Sequence, residues 1–145
     1  MKRIQRLEPV DRLMRSNERD CAQRLAGVQQ RLAEAAARGD ELARYRDEYQ
    51  RAFRARAASG MDAKGLREFQ VFIARLDEAI GQQHRAVEQL RGEQERERQR
   101  WQDAAVRSSA VAKVIDRARR DERHVEERRL QRELDERAQR RGDRT

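Results

Sequence analysis

The chain has 145 residues and a formal net charge of +8, from 35 Lys and Arg against 27 Asp and Glu; 43% of its residues are charged and 4% are aromatic. An ordinary soluble domain carries about 25% charged residues, so too few apolar side chains remain to enclose a rounded core, which argues against a globular enzyme. One proline and a composition rich in Ala, Arg, Glu, Gln and Leu leave either long helices or a disordered polyampholyte, and periodicity chooses between them.

From the N-terminus, Met14, Cys21, Val28, Ala35, Leu42 and Tyr49 recur every seven residues, and Leu25, Leu32, Gly39 and Phe53 form a second register, with Glu18 and Arg46 as exceptions. The alternating spacing of four and three is the d and a seam of a coiled coil. Pro9 suits the first turn of a helix, where its missing N–H has no intrahelical partner, so helix one is expected over about residues 9–58. The lone Cys21 has no internal disulfide partner and the first residues lack a signal-peptide run, so a cytoplasmic protein is expected.

At residues 58–62 the pattern breaks. Gly60 can take the left-handed conformation that ends a helix, Asp62 can cap the next one, and Met61 and Leu66 occupy the positions of a hydrophobic staple. This predicts a hairpin tip. Helix two then follows over about residues 62–139, with Phe69, Leu76, Leu90, Ala104, Val111, Ala118 and Val125 at d and Leu66, Ile73, Ile80, Val87, Trp101 and Ile115 at a. Residues 140–145 are expected to form a disordered tail.

Folding at the tip sets residues whose numbers sum to about 122 opposite one another, pairing Tyr49 with Ile73, Leu42 with Ile80 and Cys21 with Trp101. Helix two therefore overhangs helix one by about 30 residues, or about 45 Å. The overhang carries possible acid-to-base pairs at i and i+4, such as Glu133 with Arg137, each adding a few tenths of a kcal/mol. The expected fold is all-α: one long antiparallel two-helix coiled-coil hairpin with a longer, overhanging second helix.

Tyr45, Tyr49, Phe53, Phe69 and Phe72 all lie near the tip. Tyr45 and Phe72 fall at g positions, off the seam, and the g edges of an antiparallel pair lie side by side. Along that edge run Ala52, Tyr45, Phe72, Ala79 and Ala86, whereas the opposite edge carries Gln50, Gln70, Asp77 and His84. An apolar strip on so charged a chain fits a protein-binding face; it fits equally a widened two-helix core. The polar midsection, with Gln94, Glu97 and Glu18 near the seam, suits a flexible shaft as well as a poorly optimised one.

Catalytic patterns are missing. His84 and His124 are about 60 Å apart along one helix, no metal-ligand cluster or phosphate loop occurs, and the carboxylates have arginines within a turn, so no cofactor or small-molecule substrate is expected. Acids interrupt nearly every basic run, which argues against nucleic acid as partner. No window approaches the roughly 18 apolar residues of a membrane span, so any membrane role goes through a partner.

Three stretches, LARYRDEY at 42–49, GMDAKGLREFQVFIARLDEAI at 60–80 and RWQDAA at 100–105, together with the unequal arms, resemble the flagellar export protein FliJ family of type III secretion over nearly the whole chain. The resemblance implies a non-enzymatic stalk, peripheral at the inner membrane through the export apparatus. Its paired termini would enter the pore of the hexameric export ATPase, its tip half would contact the linker of the membrane export gate, FlhA, and it would escort empty export chaperones. Carried over residue by residue, the gate contact comprises Leu42, Tyr45, Tyr49, Phe72, Leu76, Ala79 and Gln83; Gln83 stands where a histidine is expected, and Arg38 where a glutamine is. For the ATPase only a region carries over, the N-terminal arm and the overhang, represented by Arg117, Arg120, Arg123 and Arg128. Injectisome stalk proteins share the architecture, and an unrelated structural or nucleic-acid-binding coiled coil is the third reading.

Overall fold

The computed structural model describes residues 2–144. Two helices, α1 (Lys2–Ala58) and α2 (Ala63–Asp143), pack against each other as an all-α hairpin. The chain divides into two compact units, one of Met1–Cys21 with Arg100–Thr145, the other of Ala22–Gln99.

In the second unit, the expected register holds. Phe53 stacks on Phe69 with ring centroids 3.5 Å apart, Arg46 pairs with Asp77, and Arg31 Nη2 lies 3.0 Å from Glu93 Oε1. Arg46, an exception among the a residues, thus spends its charge on a carboxylate of the facing helix; the Asp77 hydrogen bond raises the pKa of its guanidinium. A polar group at a with one geometrically fixed partner selects register, although so exposed a pair adds little to stability. Val28 and Leu76 are buried in the seam, as is Glu97.

The tip forms as its residues require. The backbone N–H groups of Ser59 and Gly60 donate to the carbonyls of Arg56 and Ala57 at 3.2 Å, and Gly60 has φ of 100°, open to glycine at little cost. Asp62 Oδ1 accepts from the Gly65 N–H at 2.8 Å, capping α2. Asp62→Ala should therefore cost about 1 kcal/mol, read as a lowered denaturation midpoint, whereas Asp62→Asn should cost much less. Met61 lies over Gly65, while Leu66 remains 43% exposed, so the seam position expected for Leu66 is not buried. By the register Leu66 faces Arg56, a charged and exposed side chain that gives it no apolar cover.

In the first unit the buried residues are Cys21, Ala104, Ser108, Ile115 and Ala118, all but Ile115 small. From Ala104 onward these follow the d, a, d alternation of helix two, and small side chains let two helices approach closely. Three boundaries differ from the sequence reading. Helix α1 starts at Lys2 rather than near residue 9, so Pro9 lies inside it. The cause is the heptad itself, which extends back to Leu7 at d and Ile4 at a, both half-buried; covering them offsets the hydrogen bond that Pro9 cannot make. Helix α2 continues to Asp143 instead of ending in a tail from residue 140, with Arg140 and Arg141 in the last turn where cations favour the carbonyl end of the helix dipole; the tail residue Thr145 lies outside the described residues. Because α1 is longer, the overhang is shorter: every residue from Arg123 to Arg144 is exposed, whereas Ile115 and Ala118 are covered. Val125, expected at a seam position, is 65% exposed for the same reason.

Candidate protein-docking faces

Rings from both helices build the aromatic edge in the second unit. Tyr49 lies between Phe69, stacked at 5.4 Å, and Phe72 at 4.3 Å, and Tyr45 meets Phe72 edge-on at 6.2 Å with an interplanar angle of 76°. Edge-to-face geometry sets the positive rim of one ring against the negative face of the other. The two g residues therefore differ. Phe72 is half-buried in the cluster, while Tyr45 covers one side of it and keeps 50% of its surface in solvent. Further from the tip, the g edge becomes polar at the exposed Arg38 and then at the Arg31–Glu93 pair.

The residues carried over as a gate contact are placed unequally. Leu76 is buried, and Leu42, Tyr49 and Ala79 are half-buried. Gln83 sits at a d position, and its Nε2 donates to the Ala35 carbonyl of the facing helix at 2.8 Å. That amide is committed to the seam, beside Gly39, where an added Cβ would lie 3.6 Å from Gln83 Cγ. Tyr45 with the rim of Phe72 is thus the accessible centre of the set. The sequence reading passed over Val71, which is 53% exposed at an outward f position next to Phe72. A valine at f, where a solvated helix carries charge, was the available signal.

In the first unit Arg120 and Arg123 line an open groove of about 1340 Å³ with Arg3, Ala118 and Val125, while Arg117 and Arg128 are exposed outside it. The groove lies where α1 begins and α2 loses its cover. On the overhang Arg129 pairs with Glu126 at 3.0 Å, and His124 Nδ1 lies 3.7 Å from Glu127 Oε2, both spaced i,i+3. Among the described residues, no group of three His, Cys, Asp or Glu side chains could hold a metal ion, and no helix is long and apolar enough to cross a membrane.

The family model described as flagellar FliJ protein matches residues 1–145, the full length of the chain. No curated protein and no solved structure matches it. With an all-α hairpin and a sequence matched from end to end, the chain belongs to the flagellar FliJ protein family, a component of flagellar type III protein export.

Proposed function

We propose that this chain is a non-enzymatic stalk that links the hexameric export ATPase to the export gate FlhA and escorts export chaperones. The second unit engages the gate and the first unit the ATPase. The observation that carries this reading is Tyr45: an aromatic side chain, half in solvent, held against a half-buried ring, Phe72, that itself packs on Tyr49 of the seam. A rigid aromatic with a polar tip loses little entropy on docking, which is why such residues concentrate binding energy. The groove around Arg3, Arg120 and Arg123 supports the ATPase assignment, since it joins the start of α1 to the region of α2 carried over for that contact. The protein acts in the cytoplasm and reaches the inner membrane through its partners.

In a strain lacking the native gene, the Tyr45→Ala chain should give a motility halo far smaller than wild type at equal protein level. An undiminished halo would remove the gate assignment.

A further inference from the structure

A second apolar spot adjoins the aromatic edge but faces another way. Val71 and Phe72 floor a groove of about 400 Å³ on α2, and its walls are Lys64, Arg67, Glu68 and Arg75. Val71 is 53% exposed, with Arg67 one turn before it and Arg75 one turn after it. Three cations against one carboxylate give the rim a net positive charge, in a chain whose acids elsewhere interrupt most basic runs. None of those three cations is held by a carboxylate in the observed ion pairs; Arg67 Nε donates only to the Ala63 carbonyl at 3.4 Å.

We infer that this groove docks an acidic amphipathic helix of a partner protein, in which one apolar anchor fills the Val71–Phe72 floor and carboxylates one turn to either side meet Arg67 and Arg75. The helical repeat sets the spacing: residues four before and four after an anchor lie about 6 Å along the axis in each direction, as Arg67 and Arg75 do about Val71. Arginine suits the role because its guanidinium can hold a carboxylate at two points. The inference extends the protein-docking reading of this unit to an adjoining surface that shares Phe72 with the aromatic edge, and Tyr45 does not line it.

The probe is a fluorescein-labelled synthetic helix of about four turns, with one central leucine, glutamates four residues to either side and alanine or glutamine elsewhere. Anisotropy titration with the full chain at low salt should show saturable binding, weakened about tenfold or more in Arg67→Glu/Arg75→Glu. A peptide with lysines replacing both glutamates should bind that double variant and not wild type. Replacing the leucine by alanine should also weaken binding, and Tyr45→Ala should leave it unchanged, so loss of the gate contact and loss of this groove read out separately. No binding at about 1 mM peptide, equal binding of the acidic and basic peptides to wild type, or binding to anionic phosphatidylglycerol vesicles in place of the peptide would each overturn the inference. Far-UV circular dichroism of the double variant excludes unfolding as the cause, because both arginines are exposed.

Discussion

Phe69→Ala should lower the stability of the hairpin by about 2–4 kcal/mol, one of the largest effects of any single substitution. Its ring is stacked on both sides, on Phe53 at 3.5 Å and on Tyr49 at 5.4 Å, and Tyr49 in turn supports Phe72. Removing it takes contact from two other rings at once, in a hairpin of two helices with no further layer to collapse into the gap. The effect appears as a lower denaturant midpoint monitored by far-UV circular dichroism. Phe69→Leu, which keeps much of the volume, should lose markedly less. A loss under about 0.5 kcal/mol for the alanine variant would mean that the rings lie on the surface without bearing on the fold.

Deleting residues 123–145 should leave the melting of the remaining chain nearly unchanged while weakening the proposed ATPase contact, expected to promote ring formation by the ATPase, by about tenfold or more. The described residues removed are all exposed, so little apolar burial is lost, and Ile115 and Ala118 stay covered. The truncation takes Arg123 and Arg128 and opens one wall of the groove that Arg3 and Arg120 share. Ring formation is read by sedimentation of the purified ATPase with nucleotide, with and without the chain. Full activity in the truncated protein would place the ATPase contact elsewhere, and a chain that fails to fold would show that the overhang serves the hairpin.

Much of this was legible because a coiled coil writes its contacts into one repeating pattern. The a and d residues, the hinge at Gly60, the cap at Asp62 and the register that stacks Phe53 on Phe69 all follow from spacing and from the conformational freedom of single residue types. What sequence obscured lies where one local rule overrode the pattern. Pro9 drew the start of helix one inward although Ile4 and Leu7 already continued the heptad, and that moved the predicted overhang by about a dozen residues. Val125 satisfies the pattern but lies where the facing helix no longer covers it, and periodicity carries no information about where a partner stops; Leu66 satisfies it too but faces the exposed Arg56.

The candidate docking face was half legible for a related reason. Heptad positions separated Tyr45 and Phe72 from the seam, yet the split between them, one ring mostly supporting and one mostly exposed, depends on side-chain rotamers that no spacing specifies. Gln83, carried over with the gate contact, is a cross-helix hydrogen-bond donor, because its d position outweighs its polarity when a backbone carbonyl is within reach.

In the proposed stalk, Tyr45 is held by the hairpin for a partner's use. The most direct test is titration of the export gate protein, reconstituted in nanodiscs, with wild-type and Tyr45→Ala chains, paired with the denaturation midpoint of each. An affinity about 30-fold weaker with a midpoint almost unmoved is the expected result; equal affinities, or a loss of binding that accompanies unfolding, would contradict it.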